Sequence, residues 1–410
     1  MPLGEPARVA EREAWAVLAA VDGLGPIGFA ALLSRYGDGQ AILEDAARPG
    51  AMARLVATPP LERSDDRPLR RPIADNVASA IVDGVQAGAR VLRRIHELDI
   101  SIVTLDESAY PARLAGVALP PHVLFVTGSV AAISPERAVA VVGTRRATTA
   151  GRAIAARLAH ALVAADAAVV SGLAYGIDGA AHEATVRAGG VTIAVIGGGH
   201  ARMGPRGHAR LADAILVGGG AIVSEHAPDL VPTQGTFPRR NRIISGLASA
   251  TVVVEAPASS GALITASWAL EQGRECYVVP GPLGAPASEG CLALLREFGG
   301  AVRVVAGIPQ LIADLGFASP ARTRSSRAAP SAEVAAAALG GLGSAERAVA
   351  YQVLAGRTTV DEVVASTDLS VAAVLATLAL LERRGLVAGR HGRYRPSGSL
   401  LGVVPLPRVR

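Results

Sequence analysis

The stretch AVAVVGTRRATTAGRAIAARLAHALVAADAAVVSG, residues 138–172, decides the fold. It opens on an unbroken apolar run, AVAVV, breaks at a glycine turn, and continues through GRAIAARLAHALVAA with helical periodicity. It closes on a second apolar run, AAVV, again ending in a glycine turn. A strand that is apolar on both faces has no solvent side, so it belongs inside a sheet covered on both faces. A helical segment between two such strands makes them parallel neighbours.

The same unit repeats outward in both directions. ISIVTL, VTIAVIGGG, AIVSE, TVVVEA, CYVVPG and AVRVV are further β-branched runs. Segments such as GALITASWALEQG between them have helical periodicity. Residues 98–316 therefore read as an α/β domain, an extended Rossmann-like, doubly wound parallel sheet. Ligands on such sheets bind at the carboxyl ends of the strands, where the glycine turns lie. Residues 9–56 read as a small helical unit: AWAVLAAV, a GLGP turn with Pro26 in the first turn of the next helix, then IGFAALLSRYG. A polar, proline-rich stretch follows (58–72), then a helix over 75–97. Residues 317–343 read as a flexible linker. Residues 344–398 read as three helices and a short ribbon, GLVAGRHGRYR, which predicts a winged-helix unit. Its third helix is capped by Ser370 and faces inward through Val371, Val374, Leu375, Leu378 and Leu381. The outward positions Ala372, Ala373, Ala376, Thr377 and Glu382 are poor readers of base edges. Charge gathers instead at Arg383, Arg384, Arg390, Arg393 and Arg395, so this unit reads as a docking or backbone-touching element.

The chain has 410 residues, enough for two or three domains, and half of them are hydrophobic. The net charge of +5 permits an anionic partner. No lysine occurs, so all 40 basic residues are arginine. That excludes a Walker-A lysine, a Schiff-base lysine and a lysine general base. Phosphate recognition must come from arginine forks, backbone N–H groups or helix N-termini. Cys276 and Cys291 lack any CxxC or CxxH spacing, so neither a zinc site nor a disulfide scaffold is expected. The first residues lack an apolar signal core, and the longest apolar stretch, AILVGGGAIV, is too short to span a bilayer. A cytoplasmic protein is expected.

Several strand ends carry the groups an anion needs. Gly143-Thr144-Arg145-Arg146 follows one strand, Ser171-Gly172 the next, and Gly197-Gly198-Gly199 another. Glu255 closes TVVVE, and Ser259-Ser260-Gly261 opens the following helix. In a parallel sheet these loops share one edge and form a phosphate-binding rim. FPRRNRIISG, residues 237–246, joins that rim by its place in the order of elements. It brings Phe237 as a stacking platform, and Arg239, Arg240 and Arg242 around Asn241, one of two asparagines in the chain. Asp178 and His182 stand four apart at a helix start. They are either an acid/base or metal-ligating pair, or a helix-dipole partner and a locally bonded histidine; no third ligand is evident, which favours the second. A nucleotide or nucleoside-phosphate hydrolase using Glu255 or Asp178 as base is the competing enzyme reading, although SSGALITA stands where such enzymes carry PGGxGT. A transcription regulator acting through the winged helix is a third.

SGLAYGIDGAAHEAT, TIAVIGGG, FPRRNRIISGL, VVVEA, SSGALITASWALEQGRECYVVPG and SEGCLALL, with YPARL and VVGTRRATTAG before them, resemble in order and spacing the DprA/Smf family of DNA-processing proteins. The resemblance covers about residues 105–305. It implies sequence-independent binding and protection of single-stranded DNA, and loading of the RecA recombinase onto it during natural transformation. It implies a homodimer, and no catalytic reaction, cofactor or metal. The DNA-binding residues it implies are Gly143, Thr144, Arg145 and the adjoining Arg146, with Ser171, Gly172, Phe237, Arg240, Asn241, Arg242 and Gly261. Two departures stand out. HARMGPRGHARL (200–211) replaces the tyrosine-proline pair and asparagine that usually follow VIGGG. Gln234-Gly235-Thr236 stands where many members have lysine, so phosphate contact there is either weaker or supplied by Arg239.

Overall fold

In the computed structural model, residues 5–61, 73–317, 339–390, 393–397 and 400 are described. The chain divides into two compact units, Met1–Ser319 and Pro320–Arg410. Most of the expected linker, residues 62–72 of the proline-rich stretch, and residues 391–392 of the expected ribbon lie outside the described residues.

The first unit is built on a nine-stranded sheet of order β1-β2-β6-β5-β4-β3-β7-β8-β9. The strands are β1 (Ser101–Thr104), β2 (Val123–Gly128), β3 (Ala138–Val142), β4 (Ala168–Ser171), β5 (Thr192–Val195), β6 (Ala221–Ser224), β7 (Ala250–Val253), β8 (Glu275–Val278) and β9 (Val302–Val304). From β6 across to β9 every pairing is parallel. The α/β sheet expected from the repeating unit is therefore present, and it is mostly rather than wholly parallel. One strand escaped the sequence reading. VLFVTG forms β2 and pairs antiparallel with both β1 and β6, so the sheet is mixed at this edge. No helical crossover of the repeating kind leads into β2, and the βα rhythm therefore hid it.

Alternation along β3 shows why its run must be apolar throughout. Ala138, Ala140 and Val142 face one core with Ile243, Ile244 and Leu247. Val139 and Val141 face the opposite core with Leu158, Leu162 and Ile177. The helices α1 (Glu5–Ala19), α2 (Pro26–Tyr36), α3 (Gly39–Ala46), α4 (Ala51–Val56) and α5 (Asp75–Glu97) share a further core with Val123 and Phe125 of β2. They are thus seated on the antiparallel edge of the sheet. Glu11 fixes part of this packing: its buried carboxylate accepts from Trp15 Nε1 (2.5 Å) and from the Gly39 N–H that opens α3 (2.6 Å). Helix α6 (Ala112–Ala115) lies before β2. The crossovers are α7 (Thr149–Ala164), α8 (Ile177–Arg187), α9 (Ala209–Val217), α10 (Thr236–Leu247) and α11 (Gly261–Glu271). Helices α12 (Glu289–Glu297) and α13 (Ile308–Asp314) flank β9.

The strand order reverses between β3 and β7. From β3 the chain winds one way through β4, β5 and β6, then returns and winds the other way through β7, β8 and β9. The two carboxyl ends at that junction leave a crevice, which is where an open α/β sheet binds its ligand.

The second unit contains α14 (Ser344–Leu354), α15 (Val360–Val364), α16 (Val371–Arg383) and the antiparallel hairpin of β10 (Val387–Arg390) and β11 (Arg393–Pro396). Ser370 caps α16 by accepting from Ala373 N. Its core side consists of Val374, Thr377, Leu378 and Leu381, whereas Val371 and Leu375 are exposed. Thr377, expected outside, is therefore inside. The i, i+3, i+4, i+7 stripe starts at 374 rather than 371.

Candidate nucleic-acid interface

At the β3/β7 junction lies a cleft of about 640 Å³, with Gly143, Thr144, Arg145, Arg146, Phe237 and Gly261 in its lining. The β3–α7 loop forms one wall. Gly143 is required there by close approach, since a Cβ would sit 2.4 Å from Ile177 Cγ1 and 2.8 Å from the Glu255 carbonyl oxygen. The Thr144 N–H donates to that same carbonyl (2.7 Å), which ties the loop to the end of β7. Gly176 packs the next loop against it: φ is +83°, and a Cβ would meet the Thr144 carbonyl oxygen at 2.2 Å. Arg145 and Arg146 stand out from this fixed backbone, both exposed, and neither makes an ion pair among the described residues.

FPRRNRIISG is neither a loop nor a strand; it forms most of α10. Helical geometry sorts its side chains. Phe237, Arg240, Asn241 and Ile244, at i, i+3, i+4 and i+7, all line the cleft. Phe237 is half-buried, with the Arg145 and Arg240 guanidinium carbons 5.2 and 5.6 Å from its ring centroid. It is therefore not a core phenylalanine. Arg240 forms the floor. Its Nη1 donates to the Gly172 and Val195 carbonyls (2.5 and 2.6 Å), and burial pushes its pKa down to about 10, with Asp178 opposing that shift. Asn241 donates through Nδ2 to the Gly261 carbonyl (3.1 Å), joining α10 to the start of α11.

Four of the expected DNA-binding residues, Ser171, Gly172, Arg239 and Arg242, lie outside this lining, as do Gly197, Gly198, Gly199 and Glu255 of the expected rim. Arg242 is turned inward and paired with Glu225, with side-chain exposures of 7 % and 13 %. Arg239 is exposed but away from the cleft. Ser171 is buried, its hydroxyl donating to the Val141 carbonyl (2.6 Å). Gly172 is an internal strut, donating to Asp178 Oδ2 (3.1 Å) and accepting from Arg240. A Cβ at Gly172 would lie 2.5 Å from Arg240 Nη2. Sequence reasoning missed Ile264 and Thr265, which line the opposite wall. They follow Gly261 by three and four residues, so the first turn of α11 carried the signal.

Asp178 and His182 do not face each other as an acid/base pair. Burial raises the Asp178 pKa, and Arg240 is the leading influence against that rise. His182 Nδ1 lies 2.7 Å from Thr192 Oγ1, whose own proton goes to the Val169 carbonyl (2.8 Å). The ring is buried and its pKa is pushed down to about 3, chiefly by desolvation, so it is a neutral core histidine. Glu255 is committed to helix capping. Its oxygens accept from the Thr148 N–H (2.9 Å) and hydroxyl (2.5 Å), while Thr148 Oγ1 caps α7 at Gly151 N (2.9 Å). Among the described residues, no group of three or more His, Cys, Asp or Glu side chains could hold a metal ion. No described helix is long and apolar enough to cross a membrane.

The family profile described as DNA recombination-mediator protein A matches residues 101–315. The chain is 42% identical over 261 residues to a putative DNA processing protein DprA of Mycobacterium tuberculosis, covering 63% of this chain and 64% of that one. It is 44% identical over 196 residues to protein Smf of Escherichia coli, covering 48% and 52%. It thus spans less than two thirds of the length of either relative. The crystal structure of DNA processing protein A from Streptococcus pneumoniae superposes with a TM-score of 0.57 at 27% identity, over 72% of this chain and 95% of that one.

Proposed function

We propose for this chain, which belongs to the DNA recombination-mediator protein A (DprA/Smf) family, the sequence-independent binding of single-stranded DNA at the β3/β7 cleft. The observation that carries this reading is the pair Arg145 and Arg146, exposed and without ion pairs among the described residues, beside the half-buried ring of Phe237. Free guanidinium groups attract phosphates, and an aromatic face accepts any base, so the combination favours a single strand without favouring a sequence. Helix α11 also opens at Gly261 in the cleft lining, and the positive end of its dipole favours an anion there. Two of the cleft's polar side chains are spent within the protein: Asn241 Nδ2 on the Gly261 carbonyl, and Arg240 Nη1 on the Gly172 and Val195 carbonyls.

On this reading the protein is a binder rather than an enzyme. The hydrolase alternative needs a free carboxylate, and Glu255 and Asp178 are both held by backbone or hydroxyl donors. Protection of the bound strand, loading of RecA onto it, a homodimeric state and a cytoplasmic location are the further parts of the proposal, and they rest on family membership. Titrating labelled single-stranded and duplex DNA of one length at several salt concentrations tests it. The strand should bind more tightly than the duplex, with a salt-dependent affinity that is indifferent to base composition. Equal or tighter duplex binding opposes the reading.

A further inference from the structure

The segment HARMGPRGHARL was set apart by its departure from the family pattern, and the β3/β7 cleft does not use it. It borders a second, smaller cleft of about 260 Å³ lined by Leu173, Met203, Arg206 and His208, among others, with Asp213 as its carboxylate. Beside it stands Tyr175, one of 13 aromatic residues (2 Trp, 6 Tyr, 5 Phe) in the chain and 49 % exposed. Its ring is not loose. His208 meets it edge-on, centroids 4.8 Å apart at 72°, and His208 is itself anchored by Nδ1 at 2.9 Å from the Leu173 carbonyl. The Gly207 backbone fits against the phenol, since a Cβ there would lie 2.7 Å from the Tyr175 hydroxyl. Arg202, Arg206 and Arg210 are exposed on the same segment and make no ion pair among the described residues.

This platform is continuous with the first cleft. Gly176, next to Tyr175, lies against the backbone of Thr144 and Arg145, and Ala174 on its other side lines the β3/β7 cleft. An exposed aromatic ring braced from behind, with unpaired arginines alongside, offers the chemistry a nucleotide needs: a stacking face and a phosphate partner.

We propose that Tyr175 and Arg206 form a second nucleotide subsite, which takes a base and a phosphate of the same strand after it leaves the Arg145–Phe237 cleft. The inference rests on the single-strand reading of that cleft. The arginines of the replaced segment then extend the strand's path rather than close the pocket. The subsite selects for strand length, not for sequence.

The test uses the full chain and fluorescein-labelled oligothymidines about 5 and about 20 nucleotides long. Tyr175→Ala should weaken the longer oligonucleotide roughly 5- to 150-fold, one base-stack's worth, and leave the shorter one nearly unaffected. Tyr175→Phe should hold both as the parent protein does. Arg206→Ala should flatten the salt slope for the longer strand by about 0.7 and leave the shorter one's unchanged. If Tyr175→Ala and Arg206→Ala bind the longer strand like the parent while Arg145→Ala does not, the subsite is refuted and the cleft reading stands. Loss of both lengths in Tyr175→Ala together with a lowered melting temperature makes the ring structural and also refutes it. If the parent protein binds neither oligonucleotide, the cleft reading falls and the subsite falls with it.

Discussion

The Arg145 guanidinium carbon lies 5.2 Å from the centroid of the Phe237 ring, joining two residues 92 positions apart in the chain. One comes from the loop after β3, the other from the first turn of α10, and each orients the other. A cation over an aromatic face contributes about 0.5–1 kcal/mol where solvent reaches it. Arg145 is thereby held over the Phe237 ring, beside the proposed strand site. The two residues should not act independently. In a double-mutant cycle on single-strand affinity, Arg145→Ala and Phe237→Ala should couple by about 0.5–3 kcal/mol, and strict additivity would show that the Arg145–Phe237 contact has no part in binding.

Phe237 and Arg145 should nevertheless leave different signatures. Phe237→Ala is expected to cost about 1–3 kcal/mol of single-strand affinity with little change in salt slope, because stacking releases no counterion. Its cost in stability should stay below the roughly 3–5 kcal/mol typical of a fully buried phenylalanine, since the ring is only partly buried. Paired melting and binding curves on that variant check both numbers.

Arg242 is expected to matter for folding. It faces Glu225 across a nearly buried ion pair, and its removal leaves a carboxylate without its partner. Arg242→Ala should destabilise the protein by about 3–5 kcal/mol in denaturant titrations. The folded fraction should bind single strands with an unaltered salt slope. A flatter slope in a stable Arg242→Ala protein would return this residue to the binding surface.

Glu255→Ala separates the binder from a hydrolase. Loss of the clamp on Thr148 should cost about 0.5–2 kcal/mol of stability, the range for losing a helix cap. Nucleotide turnover by the parent protein that disappears in this variant would establish Glu255 as a base instead.

The buried histidines make the fold sensitive to acid. Desolvation lowers the pKa of His182 to about 3 and of His200 to about 4, against 6.5 when exposed. Below pH 6.5 the unfolded chain takes up protons that the folded chain refuses. Stability is therefore full above that value and falls as pH drops from 6.5 toward 4 and 3. The slope should approach about 1.4 kcal/mol per pH unit for each such histidine. Melting temperatures between pH 7 and pH 4.5 should fall, and His182→Gln should flatten the decline.

Much of this was legible in the residues. The βα rhythm gave the parallel sheet and the edge on which the loops gather, because strands buried on both faces leave unbroken apolar runs. β2 was hidden because VLFVTG enters and leaves the sheet antiparallel, outside that rhythm. The site was legible as a set of loops but not as directions. Arg240 and Arg242 look equivalent in FPRRNRIISG, yet two residues on a helix differ by about 200°. Arg240 became the floor of the cleft and Arg242 half of an internal pair. Reading that segment with a helical period would have grouped Phe237, Arg240, Asn241 and Ile244 and set Arg242 aside. Ser171 and Gly172 stand outside the cleft lining for another reason: strand-end polar groups serve the fold's own backbone as readily as a ligand.

The claim that Arg145 in the β3/β7 cleft holds the phosphate backbone of a single strand is met most directly by the salt dependence of Arg145→Ala. Affinity for single strands of different composition should fall by a similar factor, and the slope of log affinity against log salt should flatten by about 0.7, one released contact. A folded Arg145→Ala protein with the parent's affinity and the parent's slope would contradict the account.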